Sequence, residues 1–187
     1  MNEEIKNCVE VLRSGGTILN PTDTIWGIGC DATNASAVDK VYFLKKRMES
    51  KSLIILLDDP GKLPEYAENI PEIAWDLLKN IDTPLTIIYP NAKNLAKNVI
   101  AGDNSIAIRI VKDEFCKKLI EAFGKPVVST SANVSGESTP LNFRDISREI
   151  KDHVDYIVKY SRDHLTALKP SRIIKLKENG EFKIIRK

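Results

Sequence analysis

Apolar positions along this chain follow two rhythms. Ile5, Cys8, Val9 and Leu12 recur at i, i+3, i+4 and i+7, on one face of a helix over residues 3–14. Gly15-Gly16 ends that helix. Residues 17–20 read as a short strand. Ala37, Val38, Val41, Tyr42 and Leu44 predict a second helix over residues 35–47, capped by Asn34. Residues 53–57 are an unbroken apolar run, the pattern of a strand covered on both faces. Pro64 and Pro71 punctuate a helical stretch that ends near Asn80. Leu85–Tyr89, Ile106–Ile110 and residues 127–129 read as strands. Phe115, Leu119, Ile120 and Phe123 mark a helix stopped by Gly124, and residues 142–151 read as helical. Residues 156–158, Arg172–Leu176 and Phe182–Arg186 read as closing strands, the last two joined by a turn at Glu178-Asn179-Gly180. This mixture predicts one α/β domain over residues 1–187, a twisted, mixed, open sheet flanked by helices.

Composition narrows the setting. Of 187 residues, 42% are apolar and 29% charged, an ordinary globular balance. No apolar run approaches the ~20 residues that span a bilayer. Residues 1–14 carry acids and helical periodicity rather than a leader pattern. The expectation is a cytoplasmic protein with no membrane partner. Cys8, Cys30 and Cys116 are odd in number and far apart, which predicts reduced thiols rather than a disulfide framework or a zinc site. A net charge of +2 does not predict a nucleic-acid binder, so any basic site must be local.

Four polar stretches carry candidate chemistry. Pro21-Thr22-Asp23-Thr24 follows the first strand and reads either as a strand-ending turn or as hydroxyls and amides facing a ligand. Gly27 and Gly29 would let the backbone pass close to such a ligand. Gly27–Ala32 fits a loose G-x-G-x-x-A, but five residues separate Gly27 from Pro21, which excludes a dinucleotide fingerprint. Lys45-Lys46-Arg47 with Lys51 reads as the solvated basic end of a helix or as a grip on polyphosphate or RNA. Ser129-Thr130-Ser131-Ala132-Asn133-Val134-Ser135 packs more hydroxyls than a helix cap requires and suits phosphate or ribose oxygens. In Ile106–Ile110, the isoleucines face one way and Ala107 and Arg109 the other. An arginine there either snorkels at an edge or lines a polar cavity, and a buried one demands an anion. His153 and His164 sit in polar company, and no G-x-S-x-G is present, so a nucleophilic serine is not expected.

Together these stretches resemble the YrdC-like family, the threonylcarbamoyl-AMP synthases of short, single-domain type. The matching motifs are Pro21–Thr24, Gly27–Ala32, Lys45-Lys46-Arg47, Ala107-Ile108-Arg109, Ser129–Asn133, Pro170-Ser171 and Arg186, in order over essentially the whole chain. The chain departs from the family pattern at Leu56, where long members have a histidine, and at Met48, Lys51 and Ser52. Asp82-Thr83-Pro84-Leu85-Thr86 and Lys169-Pro170-Ser171 are altered motifs too.

The resemblance implies a YrdC-like fold with a concave basic cavity, and a reaction. L-threonine and bicarbonate or CO2 form N-carboxythreonine, whose carboxylate attacks the α-phosphorus of ATP and expels pyrophosphate. A downstream transferase complex would pass the threonylcarbamoyl group to tRNA beside the anticodon, with possible direct tRNA contact through the basic patch. The resemblance further implies that Thr24 and Arg109 bind threonine, with Ser171 a weaker candidate. Lys45 and Arg47 would hold phosphates and act catalytically. Lys51, Ser105, Ser129, Ser131, Asn133, Thr139 and Arg186 would complete the ATP site, with Mg2+ entering alongside ATP and no metal ligand among the side chains. Two other readings remain at this point: a non-catalytic RNA-binding module of the same fold, and a relative that adenylates a different carbamoyl acceptor.

Overall fold

The computed structural model describes residues 1–46, 53–160 and 170–187. Helix α1 (Asn2–Arg13) buries Ile5, Cys8, Val9 and Leu12, the four positions its periodicity marks. Strand β1 (Ile18–Asn20) follows, and after a turn the chain returns antiparallel as β2 (Gly27–Gly29). β2 carries almost no strand signal, because two of its three residues are glycine. Its neighbours explain the glycines. A Cβ at Gly29 would lie 3.0 Å from the Val128 carbonyl oxygen, and one at Gly27 3.1 Å from Ser129 Oγ.

Helix α2 (Ala35–Leu44) begins where Asn34 accepts the Ala37 amide and ends three residues earlier than its pattern predicts. Lys45 is its C-cap, and Lys46 turns out of the helix at φ +47°. Then come β3 (Ile54–Leu57), a 3-10 turn at Pro60–Lys62, and helices α3 (Leu63–Tyr66) and α4 (Glu72–Asn80). β4 (Leu85–Tyr89) and β5 (Ile106–Ile110) match their predicted bounds. α5 (Glu114–Phe123) is capped by Asp113 and closed by Gly124 at φ +78°, a left-handed turn that favours glycine. β6 (Val127–Ser131) runs two residues past its predicted end, into the hydroxyl-rich stretch.

The helix predicted over residues 142–151 is shorter. α6 spans Arg148–His153, because Asn142 Oδ1 accepts the amides of Arg144 and Asp145 and Ser147 caps the later start. A side chain that satisfies turn amides competes with the helix ladder. β7 (Tyr156–Ile157), β8 (Arg172–Leu176) and β9 (Phe182–Arg186) complete the elements.

Among the described residues the strands form a nine-stranded mixed sheet in the order β7-β1-β2-β6-β3-β5-β4-β8-β9. β1 with β7, β3 with β5 and β4 with β8 are parallel, and the other neighbours antiparallel. Period-two alternation divides the side chains between two faces. One face carries Leu19, Ile28, Ile55, Ile87, Ile108 and Val128 into the larger core, which includes α2 residues. The other face carries Ile18, Leu56 and Val127 under α1 and α5. Further along that second face, Ser129 on β6, Ile54 on β3 and Ala107 and Arg109 on β5 line a cavity instead. The two helices cover half of a sheet face and leave the other half hollow.

Cys8, Cys30 and Cys116 are free thiols; all three are also buried, and burial raises the pKa of each. No helix of the described residues is long and apolar enough to cross a membrane.

Candidate functional site

The hollow half of the sheet holds about 310 Å3, at the lower end of the range of small-molecule sites. Two guanidiniums converge on it. Arg109 rises from β5 and Arg186 from β9, and both line the cavity. Arg186 donates through Nε to the Ser171 carbonyl at 2.8 Å and through a terminal nitrogen to Ser171 Oγ at 3.2 Å. Ser171 Oγ shares a 2.7 Å hydrogen bond with Thr86 Oγ1, and Thr86 is the ladder partner of Arg109. Burial first, and the positive Arg109 second, hold the Arg186 pKa below its ordinary value. Two like charges brought to one hollow favour an anion between them.

Arg109 is almost fully buried, with its side chain 5% exposed. One terminal nitrogen lies 3.2 Å from Asp23 Oδ1, and the other donates to Thr24 Oγ1 at 3.2 Å. Thr24 is itself pinned. Its amide donates to Thr22 Oγ1 at 3.1 Å, and Thr22 donates to the Ile25 carbonyl at 2.7 Å. Trp26 anchors the same turn from the core side, its ring 4.8 Å from that of Phe143. Pro21–Thr24 is therefore more than a turn: it presents Thr24 to the cavity and Asp23 to Arg109. Burial pushes the Asp23 pKa up, Arg109 pulls it down, and Asp113 pushes it up again.

The opposite wall is the hydroxyl stretch. Ser129, Thr130 and Ser131 on β6 and Thr139 beyond it line the cavity, with Gly27 beside them. A Cβ at Gly27 would press on Ser129 Oγ at 3.1 Å and on the Thr130 carbonyl at 3.3 Å, so glycine lets the two strands keep this close approach.

Seven of the predicted site residues thus meet at one cavity: Thr24, Arg109, Ser129, Ser131, Thr139, Ser171 and Arg186. Lys45 lies behind the wall. It is 1% exposed, and its ammonium donates to the Ser131 and Asn133 carbonyls at 2.5 and 2.7 Å. Asn133 stands beside the cavity rather than among its lining residues. Its amide donates to the Val134 and Glu137 carbonyls, while Oδ1 is buried without a partner. Ser105 is placed elsewhere, with its hydroxyl on Asp103 Oδ1 at 2.5 Å. Arg47 and Lys51 lie outside the described residues. Lys46 pairs with Glu149 at 2.6 Å, so the first two cations of the basic run are both engaged within the protein. Sequence reasoning assigned no role to Asp23 or Thr86. Asp23 reads as part of a turn, and Thr86 as one polar residue in an apolar strand.

The Ser105 turn makes its own prediction. Hydrogen bonds from Lys175 and Ser105 lower the Asp103 pKa from 3.8 to about 2. The fold then binds this proton less readily than the unfolded chain, so the stabilisation is complete above 3.8 and lost as pH falls through about 2. Asp103→Asn is expected to flatten that part of the stability profile, measured as Tm against pH. Asp103 is half exposed, so the effect is small.

A family model for Sua5/YciO/YrdC, described as "Telomere recombination", matches residues 10–187. A curated "Threonylcarbamoyl-AMP synthase" from Pseudoalteromonas translucida is 34% identical over 157 residues, 82% of this chain and 84% of that protein. Among solved structures, a variant of Sua5 from P. abyssi superposes with a TM-score of 0.89 at 27% identity, covering 97% of this chain and 55% of that one. P. abyssi Sua5 complexed with L-threonine gives 0.82 at 26% identity, covering 92% and 50%. The chain spans about half the length of those two Sua5 chains. The order of motifs, the cavity and the match over nearly the whole length agree: this chain belongs to the Sua5/YciO/YrdC family.

Proposed function

We propose that this protein is a nucleotidyltransferase that makes L-threonylcarbamoyl-AMP from L-threonine, bicarbonate or CO2, and ATP. The observation that carries the reading is the meeting of Arg109, Arg186 and the Ser129–Ser131 hydroxyls at one cavity. A site for two anions, a carboxylate and a polyphosphate, needs such walls. Relatives 30–34% identical are named threonylcarbamoyl-AMP synthases, and a structurally similar Sua5 is seen in complex with L-threonine.

Thr24 and Arg109 form the amino-acid end, where the guanidinium receives the threonine carboxylate. Ser129, Ser131, Thr139 and Arg186 form the nucleotide end, and Arg47 would join them from the segment beyond α2. The carbamate oxygen of N-carboxythreonine attacks the α-phosphorus, the bond to the β-phosphate bridging oxygen breaks, and pyrophosphate leaves. The cavity's contribution is alignment, together with fixed positive charge where negative charge builds on the phosphoryl oxygens. Cationic and hydroxyl walls suit phosphate oxygens better than a bare cation. Mg2+ would therefore be carried on the triphosphate and screen its charge there. The Lys45 ammonium already serves two loop carbonyls, so contact with phosphate would require it to leave them. The product would go to a threonylcarbamoyl transferase acting on tRNA.

The test is incubation with ATP, Mg2+, bicarbonate and labelled threonine, followed by mass analysis for the mixed anhydride. Product and pyrophosphate in equal amounts, both dependent on threonine and bicarbonate, are expected. Pyrophosphate release that ignores threonine removes the amino acid from the reaction. Labelled adenylates with serine or other amino acids point to a different acceptor.

A further inference from the structure

Buried charge set back from the cavity wall asks for a reason, and Asp23 is the clearest case. Its side chain is 7% exposed, and both carboxylate oxygens lie in the interior without a hydrogen-bond partner. Its ion pair with Arg109 is set by distance and charge rather than by an aligned N–H. Arg109 Nε is likewise buried without a partner. Arg109 and Thr24 line the cavity, whereas Asp23 is not among the lining residues.

We propose that Asp23 is a positioning residue that holds the Arg109 guanidinium down against Thr24 and so sets the orientation of the amino-acid subsite. This rests on the reading of Arg109 and Thr24 as the threonine end of the site. A guanidinium taken out of water without a counter-charge is strongly disfavoured. Arg109 has water-accessible space beside it, in the cavity it lines. Without Asp23 the charge is better satisfied by swinging into that space, where it would occupy the volume meant for substrate. With Asp23 present, one terminal nitrogen is held from below, the other stays on Thr24 Oγ1, and the cavity remains open. The chain Asp23–Arg109–Thr24–Thr22 ties a β5 side chain to the turn after β1, two elements far apart in sequence. The hold on Arg109 is one of charge, so the neutral isostere Asp23→Asn removes it while keeping the shape of the side chain.

Opposite results follow if Asp23 is instead a competing anion. Its removal would then free Arg109 and tighten threonine binding. The experiment is steady-state pyrophosphate release by wild type, Asp23→Asn and Asp23→Glu, with a crystal structure of unliganded Asp23→Asn. Expected are a rise in threonine KM on the order of tenfold, an ATP KM within about twofold of wild type, and partial recovery in Asp23→Glu. The Arg109 guanidinium is expected to be displaced from Thr24 Oγ1. An unchanged or lowered threonine KM, or a guanidinium still bonded to Thr24, overturns the proposal. A purely structural role would instead lower Tm and move both KM values together, which also overturns it. If wild type ignores threonine, the functional reading fails, and the guanidinium position alone decides the role of Asp23. If Asp23→Asn does not fold, Asp23→Glu is judged by the same readings: a raised threonine KM with Arg109 displaced sustains the proposal, and wild-type values with Arg109 still on Thr24 overturn it.

Discussion

Arg109→Ala is expected to raise the threonine KM roughly a hundredfold, the cost of leaving a desolvated carboxylate without its cationic partner, while ATP binding changes far less. Strand alternation sets where this side chain points. On β5, Ile106 and Ile108 enter the core, so Arg109 must leave from the opposite face. That face is helix-covered at Leu56, the ladder partner of Arg109, and opens into the cavity beyond it. The guanidinium therefore stands where cover ends and solvent space begins, as an anion receptor requires. Truncation has a second consequence, because Asp23 loses its only described ion-pair partner and stays buried. Burial already pushes its pKa up, and removing Arg109 removes the largest effect that opposes this, so Asp23 will take up a proton more readily. Stability could then mislead. The control is Asp23→Asn/Arg109→Ala, which removes both charges. If the threonine effect comes from the lost guanidinium, it persists in the double variant even where stability recovers. Threonine dependence in Arg109→Ala equal to wild type would remove Arg109 from the subsite.

Much of the sheet was legible because its central strands are apolar enough to declare their period. Leu85–Tyr89 and Ile106–Ile110 were readable to the residue, and the outward turn of Arg109 followed from spacing alone. What stayed hidden depends on partners distant in sequence. β2 is a strand because β1 and β6 flank it, and its glycines record close approach rather than strand preference. The end of α2 depends on Lys45, whose helical pattern is overridden by carbonyls some 86 positions away. Asp23 sat in a marked stretch with nothing local to name its partner, and Thr86 had no signal of its own. Each acquires meaning only when β5 arrives beside it, Asp23 by ion pair and Thr86 by ladder register. The hydroxyl stretch was visible as chemistry, but its division between cavity wall and structural loop was not. Ser131 faces the cavity while Asn133 turns its amide to the Val134 and Glu137 carbonyls.

Lys45→Ala is expected to damage stability and ATP use together. Lys45 closes α2, its ammonium reaches under the hydroxyl loop to the Ser131 and Asn133 carbonyls, and its own carbonyl accepts the Ser135 amide at 2.8 Å. It is a rivet between the end of a helix and the wall that presents Ser129 and Ser131. Truncation leaves two carbonyls without this donor in the interior, a loss of about 2–4 kcal/mol, or a fall in Tm of roughly 5–15 °C for a chain of this size. The wall then loosens, and the ATP KM rises because the hydroxyls no longer hold their places. Lys45→Met separates the contributions, since it keeps the apolar stem and removes only the donors. A direct phosphate ligand, released from the loop whenever ATP binds, would behave otherwise: Lys45→Met would lose ATP affinity while its unliganded Tm stayed at the wild-type value. Thermal melts of the unliganded variants, set beside their ATP KM values, decide between the two. A wild-type Tm in both variants would end the structural account of Lys45.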